Sequence, residues 1–122
     1  MAGCDVGRFS LPEVYYHWLE RVQRYPMFDV LKEGVLCSIR LCYILKPCSG
    51  GRDIFLHQER LRKKFPPTYL PLGYDAFGNL LLWDMESGGV YLYWKDTSSE
   101  NCMKVFSSLE SLCESLYYRP IH

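Results

Sequence analysis

The chain has 122 residues, 48% hydrophobic and 23% charged, with 14 basic side chains balanced by 14 acidic ones. That is the length of one domain built on one core, and the composition excludes a long disordered chain. A formal net charge of zero gives no overall positive field to release counterions from phosphate, so nucleic acid is not the expected partner.

The opening Met1-Ala2-Gly3-Cys4-Asp5 lacks the basic start and apolar run of a secretory signal, and Gly3 is misplaced for myristoylation. The longest mainly apolar stretch, Val35 to Leu45, is interrupted by Ser38 and Arg40 and falls short of the ~20 residues that cross a bilayer. A soluble, cytoplasmic protein without a membrane partner is expected. The six cysteines (Cys4, Cys37, Cys42, Cys48, Cys102, Cys113) include no C-x-x-C pair. Free thiols acting mostly as small buried apolar groups are expected, with no metal and no cofactor.

In chain order, Ser10 and Glu13 form a capping box with Pro12 in the first turn, opening a helix. Its apolar stripe is Leu11, Val14, Tyr15, Trp18, Leu19 and Val22, and Tyr25-Pro26 ends it. Met27 to Lys32 reads as one more helical turn stopped at Gly34. Val35 to Lys46 alternates as a long strand whose apolar face is Val35, Cys37, Ile39, Leu41, Tyr43 and Leu45. After the Pro47–Gly51 turn, Asp53 to Leu56 reads as a short strand and Gln58 to Lys64 as a short polar helix.

Tyr69 to Gly73 suits a short edge strand, because Pro71 cannot donate to a ladder. An edge around Leu70 would allow pairing with a second copy, so a homodimer is a possible assembly. Asp75 to Asn79 is a turn. Leu80 to Met85 has the unbroken apolar run of a central strand, and Val90 to Trp94 returns as its hairpin partner. There Val90, Leu92 and Trp94 oppose Tyr91 and Tyr93. Lys95 to Asn101 is a polar loop. Ser107 and Glu110 form a second capping box before Leu109, Leu112, Cys113 and Leu116 at helical spacing. The order predicts an α+β domain over residues 1–122: a bent, largely antiparallel sheet of about four to six strands with flanking N- and C-terminal helices.

No constellation for chemistry stands out. His17, His57 and His122 have no partner at ligand or triad spacing and read as solvent-facing. Gly50-Gly51 lacks the ending of a phosphate loop. Asp75, Asp84, Glu86 and Asp96 form a catalytic or metal site only if they converge, and their turn positions explain them otherwise. Arg60, Arg62, Lys63 and Lys64 are the one basic cluster, read as a solvated helix face. The best candidate surface is aromatic: Tyr74, Phe77, Trp83, Tyr91, Tyr93 and Trp94, with Asp96 beside them. One face of one hairpin cannot bury them all, and Trp and Tyr are typical binding anchors.

The run from Tyr69 to Met85 (Tyr-Leu-Pro-Leu-Gly-Tyr-Asp-Ala-Phe-Gly-Asn-Leu-Leu-Leu-Trp-Asp-Met), followed by Gly88-Gly89-Val90-Tyr91-Leu92-Tyr93-Trp94, resembles the core of the SUKH superfamily. Leu11-Pro12-Glu13-Val14-Tyr15 is similar to that family's opening helix, and Val105 to Leu109 to its closing one. The resemblance spans about Thr68 to Leu116 and is loose before that. It implies an α+β fold and a binding role without catalytic residues, with Gly73, Asp75, Gly78 and Asn79 as a structural turn. The implied partner is a protein: a toxin domain neutralised by an immunity protein, or alternatively a host factor bound by a viral relative.

Overall fold

The computed structural model describes residues 11–48, 50–95 and 99–120, which form three helices and six strands. Helix α1 (Glu13–Arg24) buries Tyr15, Trp18 and Val22, the centre of its apolar stripe. Pro12 occupies the N-cap position and makes no side-chain bond; its own missing N–H costs little, because an N–H there has no helical partner anyway. Ser10 lies outside the described residues.

The strands β1 (Met27–Lys32), β2 (Val35–Ile44), β3 (Tyr69–Asp75), β4 (Leu80–Asp84), β5 (Val90–Lys95) and β6 (Glu100–Phe106) lie side by side in chain order, each antiparallel to the next. The sheet curls until it is nearly closed. Phe28 and Phe106, from the first and last strands, meet edge to face at 5.9 Å. Helix α2 (Ile54–Arg60) fills the β2–β3 connection, and α3 (Leu109–Ser115) packs beside α1. Arg21 Nε donates to the Cys113 carbonyl at 2.6 Å and fastens the two helices. This is the α+β class that the sequence predicts.

Several expectations along the chain are corrected. Met27–Lys32 is a strand, not a helical turn: Phe28 and Val30 are buried while Asp29 and Leu31 are exposed, the period of two that a strand requires. Glu33 and Gly34 both take positive φ, 53° and 79°, so they form a two-residue hairpin turn rather than a helix stop. Asp53 does not begin a strand. It caps α2, accepting from the Phe55 N–H at 3.1 Å, and the helix ends at Arg60 before most of the predicted polar segment.

Strand β3 lies between β2 and β4, but β2 pairs only with Gly73–Asp75, so Tyr69–Pro71 have a strand partner on one side alone, in β4. Pro71 is tolerated there because the β3–β4 register shifts between Pro71 and Gly73. The stretch predicted as a loop ends in a sixth strand, Glu100–Phe106. Finally, Ser108 rather than Ser107 caps α3, accepting from the Ser111 N–H at 3.1 Å.

The cysteines also depart from expectation. Cys113 is buried, but Cys37 is half-buried and Cys42, Cys48 and Cys102 are exposed, all as free thiols. Burial pushes the Cys113 thiol up to about 11. Cys4 lies outside the described residues.

Candidate functional site

The β3–β4 turn is organised by one carboxylate. Asp75 Oδ1 accepts from the backbone N–H groups of Phe77 and Asn79, each at 2.9 Å, and Oδ2 accepts from Asn79 Nδ2 at 2.8 Å. Gly78 supplies the positive φ of 82° that the turn needs. Gly73 has a different duty: a Cβ there would stand 2.9 Å from the Tyr43 carbonyl oxygen, so only glycine lets β2 approach β3 this closely. With its acceptor oxygens committed to its own turn, Asp75 holds Phe77 out at the tip, 90% exposed.

Asp84 does the same at the next turn, accepting from the Glu86 N–H at 3.0 Å and the Ser87 hydroxyl at 2.7 Å. Burial alone would raise its carboxyl, but the bonds from Ser87, Glu86 and Thr68 outweigh it and hold the group below the usual Asp value. Asp75 and Asp84 sit at opposite ends of the β3–β4 ladder, roughly 17–20 Å apart along strands that rise ~3.3 Å per residue. They do not converge, and Glu86 is exposed beyond Asp84. Asp96 lies outside the described residues. Among the described residues no three His, Cys, Asp or Glu side chains are grouped to hold a metal ion.

The aromatic residues divide by strand parity. Trp83 points inward and is buried in the core, so it belongs to no surface. Trp94 also points inward, against the core at the sheet's rim, with Lys32 Nζ 4.3 Å from its ring. Tyr91 and Tyr93 point outward. There they meet two rings that sequence reasoning missed: Tyr69 lies 5.5 Å from Tyr91 and 6.0 Å from Phe65, which lies 5.2 Å from Tyr93. These four half-buried rings form one patch on the outer face of β3–β5. Tyr69 was findable only from register, since it stands opposite Asp84, two residues along from the Leu82–Tyr91 pair. Phe65 sits in the irregular segment after α2, which carries no periodic signal.

A charged pair edges the patch. Lys64 Nζ contacts the Glu100 carboxylate at 2.8 Å and the Tyr93 hydroxyl at 2.9 Å, and that hydroxyl donates to Glu100. The rest of the basic cluster is dispersed and exposed, with Arg62 paired to Glu59 at 2.9 Å.

Tyr74 and Phe77 stand apart from this patch. Tyr74 is half-buried under α2, within 3.3 Å of His57 Nδ1, and burial raises its hydroxyl above the usual value. His57 is therefore not simply solvent-facing. Its Nε2 lies 2.7 Å from the Gly51 carbonyl, which only accepts, so Nε2 carries the proton and pins the preceding loop. His17 is exposed on α1, and His122 lies outside the described residues. Among the described residues no helix is long and apolar enough to cross a membrane. No family model, curated protein or solved structure matches this chain.

Proposed function

We propose that the chain is a non-enzymatic protein-binding domain that docks through the outer face of β3–β5, in the way the SUKH resemblance implies for a cytoplasmic immunity protein that covers a toxin by direct contact. One observation carries this reading: Phe65, Tyr69, Tyr91 and Tyr93 form a continuous half-exposed aromatic surface edged by the Lys64–Glu100 pair. Three of the four rings stand on strands, so they lose little freedom when a partner covers them, and tyrosine offers apolar area with a polar tip. The commitment of Asp75 and Asp84 to their own turns supports a binding role over acid–base chemistry.

The test is affinity capture from the source cells, followed by titration of the purified partner. Tyr91→Ala with Tyr93→Ala should weaken binding by about thirtyfold or more, the loss of a hot-spot pair. Phe77→Ala, at the distant turn, should bind as the unaltered chain does. Equal binding by the double variant and the parent would remove the patch from the interface.

A further inference from the structure

Strand β2 has an edge that the sheet leaves open. Among the described residues, 35–40 of β2 pair with β1 alone, because β3 joins β2 only from Leu41 onward and turns away at Asp75. The direction of the open groups follows from alternation. The Leu41 N–H bonds the Pro26 carbonyl on the β1 side, so Ile39 and Cys37 also face β1 and the backbone groups of Ser38 and Arg40 face the other way. The Cys42 thiol lies 3.6 Å from the Arg40 carbonyl. The edge opens into a slot of about 610 Å³. Ile39 and Leu92 line it, and Ala76 and the 90% exposed Phe77 form its far lip.

The charges in this slot are one-sided. Lys32 lies over Trp94, and Arg40 lies 5.5 Å from the Tyr118 ring. Among the described residues neither has a carboxylate within ion-pair distance. Among the described residues, the carboxylate lining the slot is Asp75, already committed to three bonds in its own turn.

We infer that this slot receives an extended segment of a partner protein, rich in alternating apolar and acidic residues, which adds to the open edge of β2 as a strand in the place β3 vacates at Asp75. Backbone bonds to Ser38 and Arg40 give affinity, apolar side chains meet Ile39, Leu92 and Phe77, and carboxylates meet Lys32 and Arg40. The inference shares with the proposed function the premise that the chain binds protein, but it uses a different surface.

The probe is a capped hexapeptide of alternating valine and glutamate, titrated into the isotopically labelled full chain. The Ser38 and Arg40 amides should shift and exchange at least about tenfold more slowly with solvent. The same peptide with its glutamates replaced by lysines should bind at least about tenfold more weakly, and backbone N-methylation should abolish binding. Ser38→Pro removes the edge N–H and should lose the peptide, whereas Ser38→Ala keeps that N–H and should retain it. If Ser38→Pro fails to fold, the N-methylated peptide decides alone. Unshifted Ser38 and Arg40 amides, or equal binding of the N-methylated peptide, would overturn strand addition. Protection of those amides in the free chain together with a sedimenting dimer would make the occupant a second copy and overturn the partner. Tyr91→Ala with Tyr93→Ala should bind the hexapeptide normally, so failure of the outer patch and failure of the slot are read separately.

Discussion

Strand β5 places neighbouring residues in two different environments. On its inward face Val90 and Leu92 are 0% and 2% exposed, packed with Leu81, Trp83 and the helices into a single core. On its outward face Tyr91 and Tyr93 stay half-buried among Tyr69, Phe65 and the Lys64–Glu100 pair. Both faces are rich in large apolar groups, so composition does not distinguish them; the period of two does. Trp83 and Tyr93 therefore do different work. The first excludes water from the interior, and the second presents apolar area and a polar tip where another molecule can reach it.

That division is open to direct attack. Trp83→Ala should destabilise the domain by about 3–5 kcal/mol, the usual cost of emptying a buried aromatic site, whereas Tyr93→Ala should cost less than about 1 kcal/mol, as half-exposed positions do. Urea unfolding at neutral pH measures both, and equal losses would mean the outer patch is part of the core after all. The next largest effect belongs to Asp75. Replacing it with Ala strands the Phe77 and Asn79 N–H groups and should cost about 2 kcal/mol. Phe77→Ala, two residues away and 90% exposed, should stay within about 0.5 kcal/mol. A large loss at Phe77 would show that the tip is packed against something.

How much of this was legible beforehand follows from the same physics. The first helix, the Asp75–Asn79 turn and the β4–β5 hairpin were readable because local chemistry and periodicity agree there. Met27–Lys32 was misread because six residues following a helix, with Phe28, Val30 and Leu31 among them, fit either period until Glu33–Gly34 is recognised as a hairpin turn. Strand β6 was missed because its outward residues Glu100, Cys102 and Lys104 and its rim residue Asn101 dilute the apolar signal. Pro71 pointed to an edge, and at Pro71 itself β3 does pair with β4 alone; what the proline did not show is that Gly73–Asp75, further along the strand, also pair with β2. The aromatic surface was half legible: Tyr91 and Tyr93 alternate visibly, but Tyr69 and Phe65 join them through pairings distant in sequence.

A smaller effect belongs to the carboxylate of the β4–β5 turn, Asp84. Hydrogen bonds hold the Asp84 carboxyl below its usual value despite its burial. A group depressed in the folded state stabilises the fold fully above its unfolded pKa, ~3.9 for Asp, and loses that contribution as pH falls through the lower folded value. The advantage of the parent chain over Asp84→Asn should therefore be constant from about pH 7 to 5 and shrink below ~4, where unfolded Asp begins to bind its proton. Urea midpoints of both proteins across that range check it. A gap that widens in acid would mean that Asp84 titrates above its unfolded value, with burial dominating over its bonds.

The smallest effect is expected where the side chains are most heavily bonded to one another. Lys64, Glu100 and the Tyr93 hydroxyl form a closed set of contacts, yet the two charges are about half exposed. Water and salt screen such pairs, and ordering two long side chains offsets much of their attraction. Lys64→Met should leave the melting midpoint within experimental scatter, with and without added salt. Its consequence belongs to association, where a rim charge chiefly sets the encounter rate and its salt dependence. With the captured partner in hand, the variant should alter the on-rate at low ionic strength and converge with the parent as salt rises. A clear loss of thermal stability would instead place the Lys64–Glu100 pair with the inward face of the sheet, among the groups that hold the fold together.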